Sequence, residues 1–169
     1  MSAIDRSKHY YQARDHKVVD YKLYNLEGTK YFSRGPKAER IVPGKYVSFI
    51  GAAQTFGRFC ELPFPTLIGN YLEIDVVNLG FGGASSSFFI TNEELIEIIN
   101  NSKLAVVQVM TTRGESNSLF DNIGGRSSGI YQNFGKIKGS EFYKIILKSE
   151  SKKLLKKVRL KAKKKKKTI

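Results

Sequence analysis

The run Gly51-Ala52-Ala53-Gln54-Thr55-Phe56-Gly57 follows a short apolar segment and is built from small residues closed by glycines. A small-residue bend that leaves a strand aims backbone N–H groups at whatever lies above the sheet. The helix behind it adds its positive end. Such a turn suits an oxyanion, a phosphate or a sulfate, although a glycine pair kept for helix–strand packing leaves the same sequence. Gln54 is placed either to orient a water or a sugar hydroxyl or to cap the turn. A second turn, Gly80-Phe81-Gly82-Gly83-Ala84-Ser85-Ser86-Ser87, offers the Gly80 N–H and the hydroxyls of Ser85, Ser86 and Ser87. A serine nucleophile needs a base, and nothing beside these hydroxyls in the sequence supplies one; turn and cap duty is the alternative. A third loop, Thr111 to Ser118, carries Arg113 and Asn117. Arg113 can clamp a carboxylate, sulfate or phosphate bidentately, or hold a surface salt bridge.

The elements around these turns position them at one place. Tyr46-Val47-Ser48-Phe49-Ile50 reads as a buried strand ending at Gly51. Pro63-Phe64-Pro65 opens a helix to about Leu72, proline being tolerated in a first turn whose N–H groups have no helical acceptor. Ile74 to Leu79 is a second strand. Thr91-Asn92-Glu93-Glu94 has the form of a capping box, and Leu95, Ile96, Ile98 and Ile99 follow it on a helix ending near Asn100-Asn101. Leu104 to Met110 is a third strand, and its near-unbroken apolar run predicts burial on both faces, as in a parallel sheet. Strand, helix, strand, helix, strand is a βαβαβ unit. Ligands of such sheets bind beyond the carboxyl ends of the strands, and all three turns fall there. The predicted fold class is therefore α/β, a three-layer sandwich with a parallel sheet.

The chain divides by composition. Residues 1–43 are polar and tyrosine-rich and read as an arm packing on the domain, with turn signals at Gly35-Pro36 and Pro43-Gly44. Tyr10, Tyr11, Tyr21, Tyr24 and Tyr31 could form a sugar-stacking face, although packing of the arm uses them equally well. Residues 44–147 are the α/β domain, whose Glu141–Leu147 segment reads as the start of a helix or a fourth strand. Residues 148–169 are a basic tail. Its eleven lysines, one arginine and one glutamate carry +11 of the net +14, which leaves +3 for residues 1–147. The tail reads as disordered and solvated, or as the product of a shifted reading frame in an A-rich gene. It is also the one place where nucleic acid or anionic lipid could bind, through phosphate neutralisation, but no aromatic residue follows Tyr143 for base stacking.

The 169 residues suit a single domain, with 41% apolar and 26% charged residues, as in globular proteins. The single cysteine, Cys60, excludes an internal disulfide and a four-thiolate zinc site. Its apolar neighbours predict a buried small hydrophobe. No metal and no cofactor is expected. No apolar run reaches the roughly 18 residues of a membrane helix, and residues 1–6 lack a signal-peptide core, so the expected compartment is the cytoplasm.

The spacing of these turns resembles that of SGNH/GDSL esterases, a family with a flavodoxin-like three-layer fold. Their Gly-Asp-Ser-x-x-x-Gly turn follows the first strand, and Gly51-Ala52-Ala53-x-x-x-Gly57 has the same spacing, with Ala52 in place of the Asp and Ala53 in place of the nucleophilic Ser. Asn78-Leu79-Gly80 resembles the second block, which implies that the Gly80 N–H serves the oxyanion hole. Gly114 and Asn117 match the third block approximately, which implies Asn117 as the other oxyanion donor. The final Asp-x-x-His has no counterpart, because His9 and His16 both precede the first block. With neither serine nor histidine in place, the usual relay has no nucleophile and no base.

A closer resemblance covers about residues 8–125. Tyr10 to Asp15, the stretch from Gly51 through Thr55-Phe56-Gly57-Arg58-Phe59, Pro63-Phe64-Pro65, Asn78-Leu79-Gly80 and Val107-Gln108-Val109-Met110 are similar to an uncharacterised bacterial SGNH-like family. Its members occur near polysaccharide and capsule genes and also lack the serine. They are longer, and this chain departs from them by ending in lysines where more α/β core is expected. The resemblance implies a protein of polysaccharide metabolism that binds a glycan or activated sugar with Gly51, Ala52, Ala53, Gln54, Gly80, Ser85, Arg113 and Asn117. Any turnover of a carbohydrate ester would proceed by a non-serine route. The alternatives are a non-catalytic binding or scaffold module and nucleic-acid binding through the tail.

Overall fold

The computed structural model describes residues 15–38, 40–112, 115–116, 120–122, 130–131 and 141. Its centre is a parallel sheet of β3 (Tyr46–Gly51), β4 (Asp75–Gly80) and β5 (Leu104–Val107), in the order β4-β3-β5. The register sets Gly51 beside Gly80 and Ile50 beside both Leu79 and Val107. The chain therefore leaves β3 toward one side for β4 and crosses back to the other for β5. Such a reversal of strand order opens a crevice at the carboxyl ends of the strands. The α/β class and the three predicted strands are present.

Helices lie on both faces. Successive strand residues point to opposite sides, so Tyr46, Ile50, Val77 and Leu79 share one face. They pack there with Phe88 and Phe89 of α3 (Ser86–Ile90) and Leu95 of α4 (Glu93–Asn100), all buried. The other face meets α1 (Ala53–Phe56) and α2 (Phe64–Leu72). There Phe49 meets the Phe64 ring edge-on at 5.7 Å.

The arm, as far as it is described, packs onto this body. A 3-10 turn at Asp15–Lys17 precedes a short antiparallel pair, β1 (Tyr24–Asn25) with β2 (Phe32–Ser33). Ser33 Oγ donates to the carbonyl of Asn78 at 2.6 Å, which ties the hairpin to β4. Tyr21 is buried against Phe56 at 4.8 Å, and Tyr31 packs edge-on to Phe81 and Phe88. These two rings serve packing rather than an open stacking face; Tyr10 and Tyr11 lie outside the described residues. Arg34, also buried, donates to the carbonyls of Tyr21 and Gly35 through one terminal nitrogen and to those of Cys60 and Glu61 through the other. Its guanidinium stacks over the Tyr21 ring at 4.9 Å. One side chain thus fastens the arm to the segment after α1. A further pair, β6 (Phe120–Asp121) with β7 (Ile130–Tyr131), follows the sheet in sequence.

Three sequence expectations are corrected. The run from Leu104 to Met110 is not buried on both faces: pairing stops at Val107, and Leu104, Val106, Val107 and Val109 are exposed. Among the described residues β5 is an edge strand, so the burial that a flanked parallel strand would have is absent. The capping box does not form. Asn92 is the residue before α4 and makes no side-chain cap. Thr91 instead closes α3, its hydroxyl donating to the Ser87 carbonyl at 2.7 Å, while Asn92 accepts from the Tyr31 hydroxyl. Cys60 is exposed, because the turn after α1 carries it outward together with Phe59, which is also exposed and has a φ of 64°. The tail at 148–169 and, except for Glu141, the segment 141–147 lie outside the described residues.

Candidate functional site

The first turn is tighter than its sequence suggests. Residues 53–56 form one helical turn, and Gly57 closes it in the left-handed region at φ 75°. A side chain there would be strained and would meet Pro63. Gly51 is required for a different reason. A Cβ on it would stand 2.2 Å from Thr55 Oγ1 and 2.5 Å from Gln108 Oε1. The space above the turn is already filled.

The occupant is the amide oxygen of Gln108. It accepts from the Ala52 N–H at 3.1 Å, the Thr55 N–H at 3.2 Å and the Thr55 hydroxyl at 2.8 Å. Two backbone donors of the turn, those of Ala52 and Thr55, are thus aimed at an oxygen of the chain itself. Gln108 is the first residue beyond β5, and its N–H still reaches Ile50 O at 2.8 Å. The backbone leaves the sheet there and the side chain turns inward over α1. Its Nε2 donates to Gln54 Oε1 at 3.0 Å, which brings the two amides together at the surface. Ala53, which the esterase resemblance would set at the nucleophile position, lies within α1.

Gly80 is also engaged. Its N–H donates to Asn78 Oδ1 at 2.9 Å, and Asn78 Nδ2 donates to Thr55 O at 2.9 Å. A Cβ on Gly80 would lie 2.1 Å from Phe56 N. Its glycine identity therefore serves the close approach of α1 to β4, and its N–H serves that same junction rather than an open oxyanion hole.

The serine turn contains a carboxylate that the sequence reading passed over. Ser85 is buried and precedes α3. Glu115 accepts from the Ser87 N–H at 3.0 Å and from the Ser87 hydroxyl. The Ser87 hydroxyl, above all, holds the Glu115 carboxyl below its ordinary range. The Ser87 amide, the Ser85 hydroxyl and the Ser86 amide act in the same sense against the cost of burial. A base thus does stand beside the serines, but one stabilised as the anion, whereas an effective general base has a pKa near the working pH.

The strand ends therefore gather Gly51, Ala52, Ala53, Gln54 and Gly80 with Gln108, while Ser85 and Ser87 meet Glu115. Arg113 and Asn117 lie outside the described residues. Gln108, Glu115, Thr55 and Asn78 were not named as site residues from sequence, although Thr55, Asn78 and Gln108 stand within the quoted motifs. Of these only Gln108 leaves a signal, as the polar residue that interrupts the apolar run of the third strand. Among the described residues no three His, Cys, Asp or Glu side chains gather as a metal-ligand set, and no helix is long and apolar enough to cross a membrane. A cavity of about 170 Å³ lies at the amino end of β4, beside Asp75 and Lys37. It is remote from the turns and smaller than the roughly 300–1,000 Å³ of ligand pockets.

Fold and site together define a doubly wound α/β domain with an alanine at its strand-end turn and a filled donor cradle above it. Residues 9–123 match the model of a family described as a domain of unknown function, DUF6473, and the chain belongs to that family. Neither the curated proteins nor the solved structures yielded a match.

Proposed function

We propose that this is a non-catalytic binding module on an SGNH-like scaffold, and that its ligand is a neutral glycan met at the carboxyl ends of the strands. The observation that carries the reading is the position of Gln108 Oε1, which takes two backbone N–H groups and a hydroxyl of the turn that could otherwise face an oxyanion or phosphate. An activated sugar, with its phosphates, loses its site by the same contact. What remains above the sheet is amide and carboxylate: exposed Gln54 beside half-buried Gln108, and half-buried Glu115 beside Ser87. Amides both donate and accept, and carboxylates accept, so the set suits uncharged hydroxyls. The linkage to polysaccharide metabolism rests on the family resemblance of the turns.

Titration calorimetry against neutral oligosaccharides tests this reading. Saturable binding that weakens at least tenfold in Gln54→Ala is expected. Silence from the whole panel would leave a scaffold, and preference for nucleotide sugars would contradict the filled cradle. The Ser87–Glu115 contact favours one second reading, a hydrolase with Ser87 as nucleophile and Glu115 as base. Turnover of aryl acetates or acetylated sugars that is abolished by Ser87→Ala would establish it; no turnover is expected.

A further inference from the structure

The turn after α1 carries an aromatic ring where glycine is the usual residue. The Cys60 N–H returns to the Gly57 carbonyl at 3.1 Å, so residues 57–60 form a β-turn. Phe59, its third residue, has a φ of 64°, while Arg58, its second, has a negative φ. That is the pattern of a type II turn, whose third residue is ordinarily Gly or Asn because a side chain is crowded at positive φ. Phe59 bears that crowding and gains little burial in return, its ring being 56% exposed. An aromatic residue held in a strained conformation and still facing water points to a use outside the fold.

The ring is also held still. The Phe59 N–H donates to the Tyr21 hydroxyl at 3.3 Å, and Tyr21 is wholly buried. The Arg58 guanidinium lies over one face of the Phe59 ring at 4.5 Å. That guanidinium is fixed in turn. Its Nε and Nη2 donate to the two oxygens of the buried Asp15 carboxylate at 2.7 and 3.1 Å. With one face covered and the ring still exposed, the other face is left to solvent. The result is a pre-set aromatic plate, and a group fixed in advance lowers the ordering cost of binding.

The face of an aromatic ring carries negative charge density. It matches the axial C–H groups of a sugar ring, which are uncharged and slightly positive. A phosphate-bearing partner is less well met, because the cation stacked on the ring already holds Asp15. The plate also lies within reach of the amides at the strand ends. The Arg58 N–H bonds to the Ala53 carbonyl at 3.2 Å, so ordinary chain dimensions keep the Cα of Phe59 within about 11 Å of that of Gln54. A short oligosaccharide covers that span. We propose that Phe59 is a stacking platform for one sugar ring of a glycan whose other end meets Gln54, an inference that rests on the neutral-glycan reading of the strand-end turn.

Calorimetry of the full chain with maltotriose, cellotriose and triacetylchitotriose tests it. The trisaccharide that binds wild type should bind Phe59→Ala about tenfold more weakly, the scale of one lost aromatic contact. Phe59→Tyr keeps the ring and should bind as wild type does. Phe59→Gly relieves the turn, so it should lose the same binding while melting no lower than wild type. Binding that Gln54→Ala weakens and Phe59→Ala leaves unchanged would overturn the platform and leave the neutral-glycan reading standing. No saturable heat from any of the three sugars would overturn both. A Phe59→Gly chain that melts well below wild type would show that the ring serves the fold, and would overturn the platform. Binding of adenosine monophosphate that Phe59→Ala abolishes, with the sugars silent, would assign the ring to a base and overturn it equally.

Discussion

Gln108→Leu removes the acceptor that organises the first turn and leaves a side chain of similar size. Two of the three donors it satisfies, the Thr55 N–H and hydroxyl, belong to a residue that is almost wholly buried. The third, the Ala52 N–H, is half-buried and can turn to water. A buried donor left without a partner costs about 1–2 kcal/mol, so the substitution should destabilise the domain by about 2–4 kcal/mol. With a urea slope of about 2 kcal/mol per molar, the unfolding midpoint should fall by about 1–2 M. Circular dichroism at 222 nm reads it, and the tyrosines give a second probe in a chain without tryptophan. Gln108→Glu separates hydrogen bonding from shape. A carboxylate keeps the acceptor and gains charge at a helix start, while the donor to Gln54 is lost. Its midpoint at pH 7 should stay close to wild type. Donors to the charged form depress the pKa of the new carboxyl, so its stabilisation is present above the ordinary glutamate range and lost as pH falls. A midpoint for Gln108→Leu within about 0.3 M of wild type, judged against that urea slope, would refute the claim that the cradle is held by this amide.

Three further predictions follow from the same contacts. Gly80→Ala drives a Cβ to 2.1 Å from the backbone nitrogen of Phe56, which no rotamer relieves, and thermal melting should show a loss of about 3 kcal/mol or more, the upper end for overpacking. Arg34→Lys keeps the charge but not the fork that reaches four carbonyls; it should lower the melting temperature nearly as much as Arg34→Met, and a lysine variant as stable as wild type would contradict the fork. Asp15 lies below its ordinary value of 3.8, chiefly through its hydrogen bond from Arg58. Its contribution is therefore present above that value and lost as pH falls through the lower folded one. Asp15→Asn should reduce stability at pH 7 and flatten the acid limb of the stability profile.

The scaffold was legible in the sequence because strands and helices announce themselves by period and by glycine or proline punctuation. Tyr46–Ile50, Pro63-Phe64-Pro65 and the leucine and isoleucines of α4 did so. The short pairs β1–β2 and β6–β7 did not, since two-residue bridges have no period. The exposure of β5 was hidden because an apolar run records what a strand can bury, and not whether a neighbour covers it. The first two turns lie at the strand ends as expected, but which of their donors are already engaged was not legible. Whether a glycine frees donors for a ligand or makes room for the chain's own side chain depends on a contact 57 residues away, between Gly51 and Gln108. Glu115 was invisible for the same reason, its partner Ser87 lying in α3, 28 residues earlier.

The most direct test is whether the strand-end turn binds neutral sugar while performing no chemistry. In one titration series, the full chain and its Gln54→Ala variant are taken through neutral oligosaccharides and nucleotide sugars, with acetyl release followed in the same samples from acetylated members. Saturable heat with neutral glycans, weakened at least tenfold in Gln54→Ala and accompanied by no acetyl release, is the expected result. Binding confined to the phosphate-bearing ligands, or acetyl release that Ser87→Ala abolishes, would contradict it.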